Sequence, residues 1–359
     1  MRVGISSWWF NRGQAVVGRH LRSAFDSLGH ETRVLARPTR GGNIRPAFID
    51  RTGVWDQPGV TEASDYLIPE RELLDWARET GIEVACFDQN YQFDEIAALR
   101  ASGVRTVGRF VWEQFSAEHV EGAKRAFDVV YSMHAAERER YAGLGIESPR
   151  VHWGVHPELL EFPAPPKEKG LVRFMFPGGF MSKRKPIGPV LEAFRQTRDE
   201  RFRLIVKAQV DRKAPKVEKA AKRDSRIELI TEDLPTDEHL RLFASAHVSL
   251  APSRWEGLGL HLYEAMAFAI PTVVNDSAPM NEVVRDGENG LLVRPVPDGE
   301  AKSGIPAYGV DPADLAAAIE RLGDDALLAR LTAGTRAARE AWNWERTKGD
   351  LAALLERVA

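Results

Sequence analysis

The chain has 359 residues, 43% hydrophobic and 28% charged, with a formal net charge of -3. That size and balance describe a soluble globular protein long enough for two separate cores, and a charge so near zero supplies no global attraction for nucleic acid or anionic lipid. A single cysteine, Cys86, excludes an intramolecular disulfide framework and a cysteine-based metal site, and its place in the apolar run Ile82 to Phe87 makes it a core residue. Met1 to Phe10 reads as one short strand without a signal-peptide hydrophobic region, and no run approaches the ~20 apolar residues of a spanning helix. The expected location is the cytoplasm, with peripheral attachment to a membrane left open.

Strand and helix patterns alternate along the chain, as in α/β domains with parallel sheets. Arg2 to Ser7, Thr32 to Ala36, Glu83 to Phe87, Arg105 to Val111, Val129 to Ser132 and Arg150 to Trp153 read as strands, with helices between them. The segment Arg37 to Gly59, rich in Gly, Pro and Arg, is too long for a simple connection and is either a substrate loop or a surface excursion. Prolines and charges from Glu161 to Gly170 signal a boundary. A second series then follows, with strands at Val172 to Phe176, Phe202 to Val206, Ile227 to Ile230, His247 to Ala251, Pro271 to Val274 and Gly290 to Val293. The expected architecture is two Rossmann-like domains, 1–160 and 171–340, joined by a linker at 161–170. Their parallel sheets would face a ligand-binding cleft between the domains. A final amphipathic helix, 341–359, starts at Trp342 and Trp344 and is expected to pack back on the first domain.

Two stretches carry the chemistry. In S-R-W-E-G-L-G-L-H-L-Y-E, Ser253 to Glu264, two glutamates flank a glycine-bearing turn that leads from an apolar strand into a helix. Gly257 and Gly259 let backbone approach a ligand, the unpaired amides of the first helical turn attract phosphate, and hydroxyls would go to the carboxylates of Glu256 and Glu264. In P-G-G-F-M-S-K-R-K-P-I-G-P-V-L-E-A-F, Pro177 to Phe194, a Gly178-Gly179 turn precedes three cations, Lys183, Arg184 and Lys185, which suit a diphosphate. Taken alone, the acids are also plausible helix-end residues and the cations a solvated loop. Both stretches open onto strand ends of one domain, which favours the ligand-binding reading.

Together these stretches resemble the retaining glycosyltransferases of family 4, which have the GT-B fold. The resemblance is strongest from Val172 to Pro295 and includes N-E-V-V-R-D-G-E-N-G-L-L-V after the glutamate motif. W-G-V-H-P, Trp153 to Pro157, resembles the end of the family's first domain, with His156 where an aspartate is common. The resemblance implies that Glu256 contacts the transferred sugar and Glu264 the ribose. It implies that the amides of Gly257, Leu258, Gly259 and Leu260 bind the diphosphate, and that Lys185 is the phosphate-binding lysine. Gly179 stands where the family has an arginine, leaving Arg184 or Lys183 to supply the charge. F-N-R-G-Q-A-V-V-G-R-H-L resembles the family's glycine loop that closes over donor phosphates, which implies donor binding by Gly13, the best-matched residue, with Arg12 adding charge. The usual histidine of the first domain is missing from G-R-F-V-W-E-Q-F, where Glu113 is the candidate for contacting acceptor or donor.

The implied reaction is transfer from a nucleoside-diphosphate sugar to an acceptor hydroxyl with retention, by front-face attack, using electrostatic stabilisation of the leaving group. Neither cofactor nor metal is expected, since no D-x-D pair ends a strand, and nucleic acid is not an expected partner. The acceptor, whether small molecule, glycan or lipid-linked, is open; Trp8, Trp9, Phe10, Trp55 and Trp112 are candidates to line its surface. A nucleotide-sugar epimerase and a non-catalytic sugar-nucleotide-binding protein remain as alternatives.

Overall fold

The computed structural model describes residues 1–40, 47–209 and 214–359, so part of the segment from Arg37 to Gly59 lies outside the described residues. Two compact units divide the chain: Met1–Trp153 with Trp344–Ala359, and Gly154–Asn343. The stretch 161–170 therefore lies inside the second unit, and the chain crosses between units at Trp153/Gly154 and again at Asn343/Trp344.

In the first unit β1 (Arg2–Trp8), α1 (Gly13–Ser27), β2 (Glu31–Arg37), β3 (Val60–Glu62), α2 (Glu70–Thr80), β4 (Val84–Asp88), α3 (Phe93–Ala101), β5 (Arg105–Arg109), α4 (Val120–Ala126), β6 (Val129–Tyr131) and α5 (Ala135–Gly143) follow one another. The sheet order is β3-β2-β1-β4-β5-β6, parallel throughout. Strand β4, at the centre, is buried along its whole length, which is why Val84 to Phe87 reads as an unbroken apolar run. Leu35, Ala85, Phe87, Ile96, Phe110 and Tyr141 belong to one core. Cys86 is buried, and burial pushes its thiol up to about 12. No strand forms at Arg150 to Trp153; Arg150 makes only an isolated bridge to Ser132. The backbone of His152 bonds to side chains instead, its N–H donating to Asp350 (2.8 Å) and its carbonyl accepting from Thr347 Oγ1 (2.8 Å).

The second unit contains α6 (Pro157–Glu161), β7 (Val172–Gly179), α7 (Ile187–Gln196), β8 (Phe202–Ala208), α8 (Pro215–Ala221), β9 (Ile227–Ile230), α9 (Thr236–Ala244), β10 (Val248–Leu250), α10 (Leu260–Ala267), β11 (Thr272–Asn275), α11 (Met280–Val283), β12 (Gly290–Val293), β13 (Pro295–Glu300), β14 (Pro306–Val310), α12 (Pro312–Arg321) and α13 (Asp325–Ala338). Its sheet, β12-β11-β10-β7-β8-β9, is again parallel throughout and repeats the strand order of the first. Its core gathers Phe174, Phe176, Phe194, Phe202, Leu250 and Ile319. The antiparallel hairpin β13/β14 has no counterpart in the sequence expectation.

Helix α14 (Trp344–Glu356) belongs to the first unit. Trp344 meets Trp153 edge-on at 5.0 Å and His20 at 6.0 Å, and Leu351, Leu354 and Leu355 are buried.

Candidate functional site

In a doubly wound sheet the chain leaves neighbouring central strands in opposite directions, and the loops beyond their carboxyl ends part to leave a crevice. In the second unit those strands are β7 and β10. The loop after β7 is shaped by two glycines. A Cβ on Gly178 would stand 2.5 Å from the Met181 sulfur and 3.1 Å from the Lys207 carbonyl, and Gly179 has φ +50°. These glycines end the strand with a bulge rather than forming a separate turn. The chain then turns back, the Lys185 amide donating to the Ser182 carbonyl (2.9 Å).

That turn buries Lys185 against the loop after β10. Its Nζ donates to Ser253 Oγ (2.9 Å) and to Glu256 Oε1 (2.5 Å), and Arg184 Nη1 lies 3.2 Å from Glu256 Oε2. The Arg254 amide donates to the Arg184 carbonyl (2.9 Å), so the two loops are joined through backbone as well as charge. Asn275 Nδ2 braces them from behind, donating to the carbonyls of Ser253 (3.0 Å) and Tyr308 (2.7 Å). Arg254 reaches Asp298 of β13 (2.6 Å) and its carbonyl accepts from the Tyr308 amide (3.0 Å), tying the hairpin to the same loop.

Burial alone would raise the Glu256 carboxyl, but Arg184 and Lys185 outweigh it and hold the group far below the usual carboxylate range. Two cations thus share one buried carboxylate, leaving a local positive surplus. Helix α10 starts beside them from Gly259, whose φ of +75° is a left-handed conformation that glycine adopts without penalty. Among the described residues no side chain caps this helix, and no acid occupies its first turn, so its leading amides and its dipole add to the positive field. Glu264 follows one turn later, half-buried, and burial pushes it up to about 7 against the pull of Lys185. The arrangement suits an anion at the cations and helix start, with carboxylates beside it for hydroxyl groups.

The structure brings together Lys185, Arg184, Glu256, the turn Gly257-Leu258-Gly259-Leu260 and Glu264. Lys183 is exposed, and only its carbonyl turns inward, accepting from Arg254 Nη1 (3.4 Å). His261, missed in sequence, is buried in the same corner. Its only sequence signal is a polar residue at the second position of an otherwise apolar helix start. Arg12, Gly13 and Glu113 lie in the first unit. Arg12 is the extended residue preceding α1, buried, with Nη1 donating to the Asn11 carbonyl (2.6 Å) and the guanidinium 5.5 Å from the Phe10 ring centre. Gly13 opens α1, and Glu113 is buried just beyond β5. The proposed aromatic surface needs correction: Trp9, Phe10, Trp55 and Trp112 are all buried, and only Trp8 is partly exposed. Trp9 donates from Nε1 to the Trp55 carbonyl (2.8 Å) and meets its ring edge-on at 5.4 Å, which makes both core residues.

Two doubly wound parallel sheets in one chain define the GT-B fold. Residues 172–325 match the family model of the glycosyl transferases group 1. The chain is 35% identical over 114 residues to the D-inositol 3-phosphate glycosyltransferase of Acidothermus cellulolyticus, a stretch covering 32% of this chain and 22% of that enzyme. It is 32% identical over 126 residues to the MMP alpha-(1->4)-mannosyltransferase of Mycolicibacterium hassiacum, covering 35% and 28% of the two chains. Among solved structures, Anabaena HepE in complex with UDP and glucose superposes with a TM-score of 0.74 at 15% identity over 99% of both chains. The sucrose-phosphate synthase of Thermosynechococcus elongatus gives 0.72 at 17% identity, over 99% of this chain and 98% of that one. Among the described residues, no helix is long and apolar enough to cross a membrane.

Proposed function

We propose that this protein is a retaining, metal-independent glycosyltransferase of family 4 that moves a sugar, a hexose or a relative of one, from a nucleoside-diphosphate sugar to an acceptor hydroxyl. The observation that carries the reading is the buried Lys185–Glu256–Arg184 cluster beside the uncapped start of α10, at the crevice where doubly wound sheets bind nucleotides. Lys185, Arg184 and the amides from Gly257 to Leu260 hold the diphosphate, Arg184 supplying the charge absent at Gly179. Glu256 takes sugar hydroxyls and Glu264 the ribose. The bond from the anomeric carbon to the phosphate oxygen breaks, its electron pair leaving with the diphosphate. The acceptor oxygen bonds to that carbon on the same face, and its proton passes to the leaving phosphate. Fixed cations and amides stabilise the charge that develops on the diphosphate. Of the residues in the first unit, Gly13 and Arg12 are assigned to binding the donor phosphates and Glu113 to contacting acceptor or donor, and the cytoplasm is the proposed location.

The test is incubation with a panel of nucleotide-sugars and acceptor alcohols, starting from UDP-sugars because HepE was solved with UDP and glucose. Nucleoside diphosphate release should persist in EDTA and depend on Glu256 and Lys185, and the product should keep the donor's anomeric configuration. Inverted product defeats retention. Epimerised donor, or tight binding with no release across the panel, defeats the transferase reading.

A further inference from the structure

His261 is 8% exposed, and its Nε2 has no hydrogen-bond partner among the described residues. It is the second residue of α10, at the helix end where amides point outward. The charges that act on it come from both loops: Lys185 and Arg184 after β7, and Glu256 after β10. Glu264 follows three residues later on the same helix. A buried imidazole nitrogen without a partner is costly, and an apolar side chain at this position would avoid that cost. An orphaned imidazole nitrogen in a corner with surplus positive charge is best explained by a partner that arrives with the ligand.

We infer that His261 is a diphosphate-binding residue, its ring donating from Nε2 to a phosphate oxygen of the nucleotide. The inference rests on the donor reading above and adds a side-chain contact to a subsite otherwise built from lysine, arginine and backbone. Burial, then Lys185, pushes the imidazole down to about 3, so the ring meets the ligand neutral, with its single proton available to Nε2. A neutral donor adds a directed hydrogen bond without further repulsion among the cations.

The test compares calorimetric affinities for inorganic pyrophosphate and for UDP, GDP and ADP in the wild-type protein, H261L, H261Q and K185A. Glutamine places an amide N–H near the position of Nε2, whereas leucine offers none. H261L should bind pyrophosphate and the preferred nucleotide about tenfold more weakly, as for loss of one hydrogen bond to a charged group, and H261Q should recover most of that loss. The imidazole nitrogen signal that disappears in H261Q should shift when pyrophosphate is added to wild-type protein. Unchanged affinity in a folded H261L, or a His261 signal that ignores pyrophosphate, overturns the inference. Wild-type binding that K185A abolishes and H261L retains would overturn the role of His261 alone. Failure of the wild-type protein to bind any of the four probes would overturn the donor reading itself.

Discussion

Lys185 bonds Glu256 and Ser253 from one buried nitrogen, so its removal changes three residues at once. Substituting Lys185→Ala leaves Glu256 with Arg184 alone and removes a cation from the proposed phosphate subsite. Nucleoside diphosphate release should fall by about 10²-fold or more. Lys185→Arg should not rescue it, because a planar fork cannot take the place of a point charge held between Ser253 and Glu256. Glu264 predicts a pH dependence. Its carboxyl is pushed up to about 7 by burial, so below that pH the free protein holds it protonated and unable to accept hydrogen bonds through an ionised group. Affinity for a nucleotide-sugar should therefore rise from pH 6 to pH 8, and Glu264→Gln should flatten the profile. A profile that survives that substitution unchanged assigns the titration to another group.

At the level of elements, the site depends on how α10 begins. Gly259 holds φ +75°, and a Cβ there would stand 3.0 Å from Leu262 Cδ1. Gly259→Ala should cost about 1–2 kcal/mol in denaturant unfolding and weaken donor binding, since the strained turn re-aims the leading amides. Much of this was legible in the sequence. Glu256, the glycines and the K-R-K run sit on turns, and Glu264 on the helix that one of them opens, where local chemistry restricts what the backbone can do. The hairpin was not. Pro295–Glu300 is proline-bearing and mostly exposed, lacking the alternation that marks a half-buried strand, and its pairing with Pro306–Val310 depends on contacts distant in sequence, Arg254 to Asp298 and Asn275 to Tyr308. The aromatic residues failed for another reason: a tryptophan that stacks on ligand and one that fills a core have the same composition signal, and only burial separates them.

At the scale of the molecule, one unit is continuous and the other is not. Gly154–Asn343 forms the second unit, whereas the first needs both Met1–Trp153 and Trp344–Ala359. The ends of the second unit lie side by side: the Val155 amide donates to the Trp342 carbonyl (2.7 Å), and a Cβ on Gly154 would strike the Asn343 carbonyl oxygen at 2.4 Å. Residues 154–343 expressed alone should therefore fold and bind pyrophosphate, and a collapsed, non-binding product would refute that. In the intact chain Leu351→Ala, at a fully buried position of α14, should cost about 2–5 kcal/mol, read as early unfolding of the first unit by proteolysis. The same topology orders folding during synthesis. Domains usually fold as they emerge, first-made first. Here the segment made first waits for α14, with Trp153 and His20 lacking the ring of Trp344 until it appears, whereas the later-made unit is complete once Asn343 has emerged. The second unit should thus be the earlier to fold on the ribosome, and the nascent N-terminal half the one most exposed to chaperones.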